Sequence, residues 1–146
     1  MKFSEFHAGQ VIEAGPVSIT EAEIVQFATA WDPQWFHTDP VAAQNSRFGG
    51  LIASGWHTCS IAMRLVVDTV LRGSESYASP GLSAVKWPHP VRPGDTLRLQ
   101  ATVIESRRSR GNSGLGILRW RWQLFNAQDV EVLDLDATSL FDLAVD

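Results

Sequence analysis

The ten residues from Trp31 to Pro40 carry Asp32 and His37, two prolines and three large aromatics, Trp31, Trp35 and Phe36. A carboxylate and an imidazole aimed at one point can hold a water and pass a proton, which is general acid–base chemistry. Pro33 and Pro40 interrupt any helix through this stretch, so it is ordered, irregular chain. Such a loop can bring two polar heads together where regular strand or helix spacing would not. Alone, Asp32 before Pro33 is an ordinary helix stop, and a lone His37 beside aromatics is an ordinary packed imidazole. Their joint placement just upstream of Phe48-Gly49-Gly50-Leu51-Ile52-Ala53-Ser54-Gly55-Trp56, which leads into an apolar helix, marks a reaction site.

The remaining chain reads as the scaffold that positions this pair. Val11 to Ile19 is apolar-rich and broken by Gly15-Pro16, which predicts a short edge strand or two fragments. Thr20-Glu21-Ala22-Glu23 is a capping box, and Ile19 and Ile24 suit a hydrophobic staple. Ile24, Phe27, Ala28 and Trp31 then follow the rhythm of a helix with one buried face, ending at Asp32-Pro33. Asp39-Pro40 opens a short helix through Asn45. A third helix runs from Ser54 or Gly55 to Leu71, about 25 Å long, and its mostly apolar surface predicts cover on most sides. Four strand-like runs follow, Leu82 to Val91, Thr96 to Glu105, Leu115 to Phe125 and Val130 to Leu143, with turns at Arg92–Asp95 and Asn126–Asp129. Helices followed by antiparallel strands argue an α+β fold, a curved antiparallel sheet wrapped around one long central helix.

Composition narrows the function classes. One domain over residues 1–146 is expected from the length, and 45% hydrophobic residues with six Trp and seven Phe provide a sizeable core. A net charge of −4 gives no global attraction to nucleic acid or anionic membrane. The single cysteine, Cys59, excludes an intramolecular disulfide and a cysteine-based zinc cluster, and no His-x-x-x-His pair is present, so no metal site is expected. Met1 to His7 has no apolar leader core, and His57, Arg64 and Asp68 interrupt the longest apolar stretch; a soluble cytoplasmic protein is expected. Gly111–Gly116 lies between strand-like runs and reads as a hairpin turn rather than a dinucleotide loop. Arg107–Arg110 reads as its solvated end, and Trp120-Arg121-Trp122 as a strand with one buried face.

Three segments in order, Asp32 to His37, Phe48 to Gly55 and Pro90-Val91-Arg92-Pro93-Gly94-Asp95-Thr96-Leu97, resemble the MaoC-like dehydratase family, which includes the (R)-specific enoyl-CoA hydratases. The likeness runs from about Phe3 to Glu105 and implies the hot-dog fold. It also implies a hydro-lyase that adds water to, or removes it from, an enoyl or 3-hydroxyacyl thioester of CoA or an acyl-carrier protein, with no cofactor. Asp32 and His37 fall on the family's catalytic pair, and Gly55 on the glycine whose N–H receives the oxyanion. Gln34, Trp35, Phe36, Ser54, Trp56 and His57 are the expected substrate-binding residues, with Trp31 also at the pocket and a packing role as the other reading of His57. The family motif has Asn, Pro and an aliphatic residue where Gln34, Trp35 and Phe36 stand, so the frame around the pair is altered. A homodimer or dimer of dimers is implied, with Lys86, Arg92 or Arg107 available to carrier phosphates. The rival readings are a hot-dog thioesterase and a non-catalytic acyl-binding protein.

Overall fold

The computed structural model describes residues 1–144. Five strands form one antiparallel sheet in the order β1-β3-β4-β5-β2: β1 (Val11–Ser18), β2 (Ser76–Lys86), β3 (Thr96–Arg108), β4 (Leu115–Phe125) and β5 (Glu131–Asp142). Between β1 and β2 lie α1 (Glu21–Trp31), the single-turn α2 (Trp35–Thr38), α3 (Pro40–Gln44) and the central α4 (Gly55–Val66), prolonged by a π-helical turn, Val67–Leu71. This is the hot-dog arrangement expected from the order of elements, with α4 against one face of the sheet.

Alternation along the strands sets which face meets the helix. Leu118, Trp120, Trp122 and Leu124 on β4 are buried with Leu97, Leu99, Ala101 and Val103 on β3 and Leu133, Leu135 and Ala137 on β5. From α4 and its extension, Thr58, Ala62, Val66 and Val70 meet them, at the spacing of one helical stripe. The N-terminal residues Phe3 and Phe6 seal one end of the core, Phe3 against Phe141 and Phe6 edge-on to Trp120. The outward face of β4 carries Arg119 and Arg121, which form two-pronged pairs with Asp136 and Asp134. Each reaches a residue displaced from its direct Cα partner on β5, as the sheet's right-handed twist favours. The arginines of this face are thus paired rather than presented to a polyanion.

Several local expectations are met in detail. Thr20 Oγ1 accepts from the Glu23 N–H while the Glu23 carboxylate receives the Thr20 N–H, closing the capping box of α1. Asp39 caps α3 through the Val41 and Ala42 N–H groups, with Pro40 in the first turn. β1 is an edge strand whose register shifts between Ala14 and Val17, around the Gly15-Pro16 cis peptide.

Three expectations are corrected. β2 spans Ser76–Lys86, not Leu82 to Val91, because Pro88 and Pro90 cannot continue a ladder. Trp31 is 77% exposed: α1 buries only Ile24 and Ala28 fully, and Trp31 is carried off the core face by the helix's end. The central helix is not covered on most sides either; Trp56 and Met63 remain exposed, because the sheet covers only one of its faces.

Candidate active site

Asp32 and His37 are brought together by two abrupt changes of direction. Asp32 N–H still closes the last turn of α1 on the Ala28 carbonyl, but Pro33 has no N–H to continue it. Gln34 then begins the one-turn α2, and the His37 N–H returns to the Gln34 carbonyl. The result places His37 Nε2 3.3 Å from Asp32 Oδ2. His37 is buried, 5% exposed, and its Nδ1 lies 2.7 Å from the Ile52 carbonyl oxygen. A carbonyl can only accept, so Nδ1 carries a proton. Nε2 is therefore the nitrogen turned toward the carboxylate and open to proton exchange.

The Ile52 carbonyl belongs to the buried run Leu51–Ser54, which threads between α2 and the loop after β2. Ile52 N–H donates to the Phe36 carbonyl and Ala53 N–H to the Val91 carbonyl. Gly49 and Gly50, at φ 65° and 156°, supply the turn that lets the chain enter this slot. Ser54 caps α4, its hydroxyl accepting from the Trp56 N–H at 3.3 Å.

The carboxylate is held from both sides. Gln34 Nε2 donates to Asp32 Oδ1 at 2.7 Å, and Ser54 Oγ donates to Oδ2 at 2.8 Å. The Gln34 bond, then the Ser54 bond, and more weakly the nearby His37 hold the Asp32 carboxyl below its usual range, against the opposing effect of partial burial. At neutral pH Asp32 is an anion.

Asp32, His37 and Gly55 line one cavity of about 420 Å³. Gly55 is the first residue of α4, and its N–H has no acceptor among the described residues. First-turn amides point out of a helix's positive end, so this donor is available to an anion. A Cβ at Gly55 would lie 2.5 to 2.9 Å from the Trp87 ring, whose Nε1 donates to the Gly55 carbonyl at 3.0 Å. Glycine here allows the indole to lie against the helix start. Trp87 also packs edge-on to Trp56, which lines the same cavity.

The expected binding residues divide. Trp56 lines the cavity. Gln34 and Ser54 instead spend their polar groups on Asp32. Trp35 is 48% exposed and packs on Phe36 and Phe48, while Phe36 buttresses His37 with ring centroids 4.3 Å apart; neither lines the cavity, and nor does Trp31. His57 is turned away altogether. It stacks on Phe27 at 4.5 Å and 9°, on the α1 side of the helix, and burial pushes its imidazole below the ordinary value. One position after Trp56 on a helix is about 100° around it, enough to leave the cavity.

Sequence reasoning missed Trp87, Pro88, His89 and Pro90, which form another wall of the cavity. They fall within the strand expected over Leu82 to Val91, and the two prolines are the signal against that strand. His89 donates Nδ1–H to the Glu131 carbonyl at 3.1 Å.

With this geometry in place, comparison with known proteins identifies the family. The sequence pattern of the MaoC like domain matches residues 3–119. The chain belongs to the MaoC-like family. It is 31% identical over 134 residues to the uncharacterized protein YdeM of Bacillus subtilis, covering 92% of this chain and 94% of that one. Protein MaoC of Klebsiella aerogenes is 30% identical over 126 residues, and there the match spans 83% of this chain but only 37% of the relative's length. Among solved structures, a MaoC-like dehydratase from Rhodospirillum rubrum superposes with a TM-score of 0.87 at 33% identity, covering 95% of this chain and 94% of the other. A monoamine oxidase regulatory protein from Archaeoglobus fulgius gives 0.86 at 28% identity over 97% and 94%. The (R)-hydratase PhaJ1 of Pseudomonas aeruginosa, at 24% identity and 0.76 over 96% and 84%, shares the fold of this MaoC-like chain.

Proposed function

We propose that this MaoC-like protein is a hydro-lyase acting on an enoyl or 3-hydroxyacyl thioester, with acyl-CoA as the carrier form. The observation that carries the reading is the Asp32–His37 pair, 3.3 Å apart through Nε2, in one cavity with the free Gly55 amide. In the hydration direction, a water in the cavity held by both Asp32 and His37 attacks the β-carbon of the enoyl group. Its proton passes to His37 Nε2, and Asp32 stabilises the imidazolium that forms. The electron pair of the double bond moves onto the thioester oxygen, which accepts the Gly55 N–H in the field of the α4 terminus. As the enolate collapses, the proton on His37 is delivered to the α-carbon, leaving a 3-hydroxyacyl thioester and the starting enzyme. The same groups run in reverse as a dehydratase.

The thioesterase reading is weaker on a specific ground. Asp68, the only carboxylate of the central helix and its π-helical extension, lies toward their far end and is paired with Arg64 and Arg72. A working unit of two chains is part of the proposal. The outer edge of β2 has no strand partner among the described residues, and exposed Trp56, Trp87, Tyr77 and Leu82 lie on α4, on β2 and just after it. Assays with crotonyl-CoA and longer enoyl thioesters test the function. Loss of enoyl absorbance without thiol release is expected. Thiol release alone would establish the thioesterase, and binding without turnover would establish an acyl-binding protein.

A further inference from the structure

The residue the expected substrate contacts leave unexplained is Ser54. It is completely buried, so it cannot meet a substrate, yet it sits at the N-terminus of α4 with both its hydrogen-bonding roles committed. The Trp56 N–H donates into Oγ, and Oγ lies 2.8 Å from Asp32 Oδ2. A hydroxyl has one proton. With its acceptor role taken by the helix cap, that proton points to Oδ2, the same carboxylate oxygen that faces His37 Nε2. Gln34 Nε2 occupies Oδ1. Protonating Oδ2 would turn an acceptor into a donor against Ser54 and leave the serine proton buried without a partner, a costly arrangement.

We propose that Ser54 is a positioning residue of the reaction: its hydroxyl ties Asp32 to the start of α4, keeps that carboxylate a permanent acceptor, and so leaves His37 as the group that carries the proton. This rests on the hydro-lyase reading for its catalytic consequence but not for its electrostatic one. The positive end of the twelve-residue α4 acts in the same direction. The titratable groups around Asp32 are His37 on α2, His89 lining the same cavity, and His57 on α4, whose ring faces Phe27 instead. Only His37 makes a direct contact. One helix terminus thereby serves two anions in different ways. Its first amide is left for the oxyanion on substrate, and its capping serine fixes the anionic partner of the base.

The test is the carboxyl titration of Asp32 by carbon-13 NMR in the intact protein, assigned with Asp32→Asn, alongside pH profiles of hydration. In Ser54→Ala the titration midpoint of Asp32 should rise, because a donor to the ionised form is lost. The acidic limb of kcat/KM should move to higher pH with it. At neutral pH kcat should fall roughly 10- to 100-fold, the size of a lost bond to a charged group, while KM changes little. Ser54→Thr, which keeps both the cap and the donor, should restore the midpoint and the profile. Ser54→Cys, close in size but a weak donor, should resemble the alanine variant and serves in its place if that variant does not fold. An Asp32 midpoint unmoved in the folded Ala or Cys variant overturns the proposal, whatever the activity. A wild-type protein with no hydration activity but with the midpoint shift present overturns the functional reading and leaves Ser54 in its electrostatic role.

Discussion

His37 shows how a residue's role follows from its second contact. Because Nδ1 donates to the Ile52 carbonyl, Nε2 is the nitrogen presented to Asp32 and to a bound water, and the one that can exchange a proton there. Substituting His37→Ala removes the proton carrier, and Asp32→Asn removes the anion that stabilises it. Each should lower hydration by at least about 100-fold, with circular dichroism unchanged. Turnover near wild type in either purified variant would remove the pair from the mechanism. Gly55 supports a different kind of prediction. Alanine there keeps the amide but drives a methyl into the Trp87 ring, so the indole must leave its bond to the Gly55 carbonyl. Gly55→Ala should cost roughly 10- to 100-fold in kcat/KM through a displaced wall. A crystal structure of that variant with Trp87 unmoved, or undiminished turnover, would contradict this.

At the scale of elements, α1 and α4 meet through an aromatic stack that is sensitive to pH. His57 lies flat on Phe27, its Nδ1 has no hydrogen-bond partner among the described residues, and burial holds its imidazole below the ordinary value of 6.5 against the weaker pull of Glu23. The unfolded chain therefore binds a proton at a pH where the folded chain does not. Stability contributed by neutral His57 is complete above about 6.5 and declines as pH falls toward the lower folded value. His57→Phe keeps a flat ring on Phe27 and removes the titration. In urea denaturation at pH 7.5 and 5.5, the variant should lose less stability between the two than wild type does. An equal loss in both proteins would remove His57 as the cause. The loop after β2 has an equally definite role, since Trp87 to Pro90 hold a cavity wall that a continued strand could not form.

For the whole molecule, one exposed apolar surface lies around α4 and β2. The face of α4 carrying Trp56 and Met63, the outer edge of β2, and exposed Tyr77 and Leu82 on that strand leave large apolar groups in water, and Trp56 also lines the candidate cavity. A second copy that pairs edge to edge with β2 on a two-fold axis would cover both the strand edge and the helix face, and would wall each cavity with both chains. Light scattering at micromolar concentration should give about twice the chain mass. Leu82→Asp, at a position half in solvent, should shift that mass toward one chain while leaving the folded sheet intact. A fully active wild-type monomer would overturn the shared site.

Much of this arrangement follows from local chemistry that one sequence displays. The capping box at Thr20, the Asp39-Pro40 cap, the alternation of β3 and β4 and the hairpin at Gly111 to Gly116 depend on residues close in the chain, so pattern alone determined them. The spacing of Asp32 and His37 around Pro33 likewise determined that the two could converge. What they are connected to was decided by contacts between distant segments. The Ile52 carbonyl that sets the His37 tautomer is fifteen residues away, and the Ser54 hydroxyl that holds Asp32 is twenty-two residues away. Trp87, which makes Gly55 a spatial necessity, is thirty-two residues distant. Periodicity marked Trp31 as buried, and a place early in the central helix suggested His57 for the pocket, but burial depends on where the sheet ends and on the turn of α4 that faces α1. Local spacing carries backbone preference; the partner of a buried polar atom is set by the packing that brings it there, which is why only the tertiary structure assigned Ser54 and Gln34 to the aspartate rather than to a substrate.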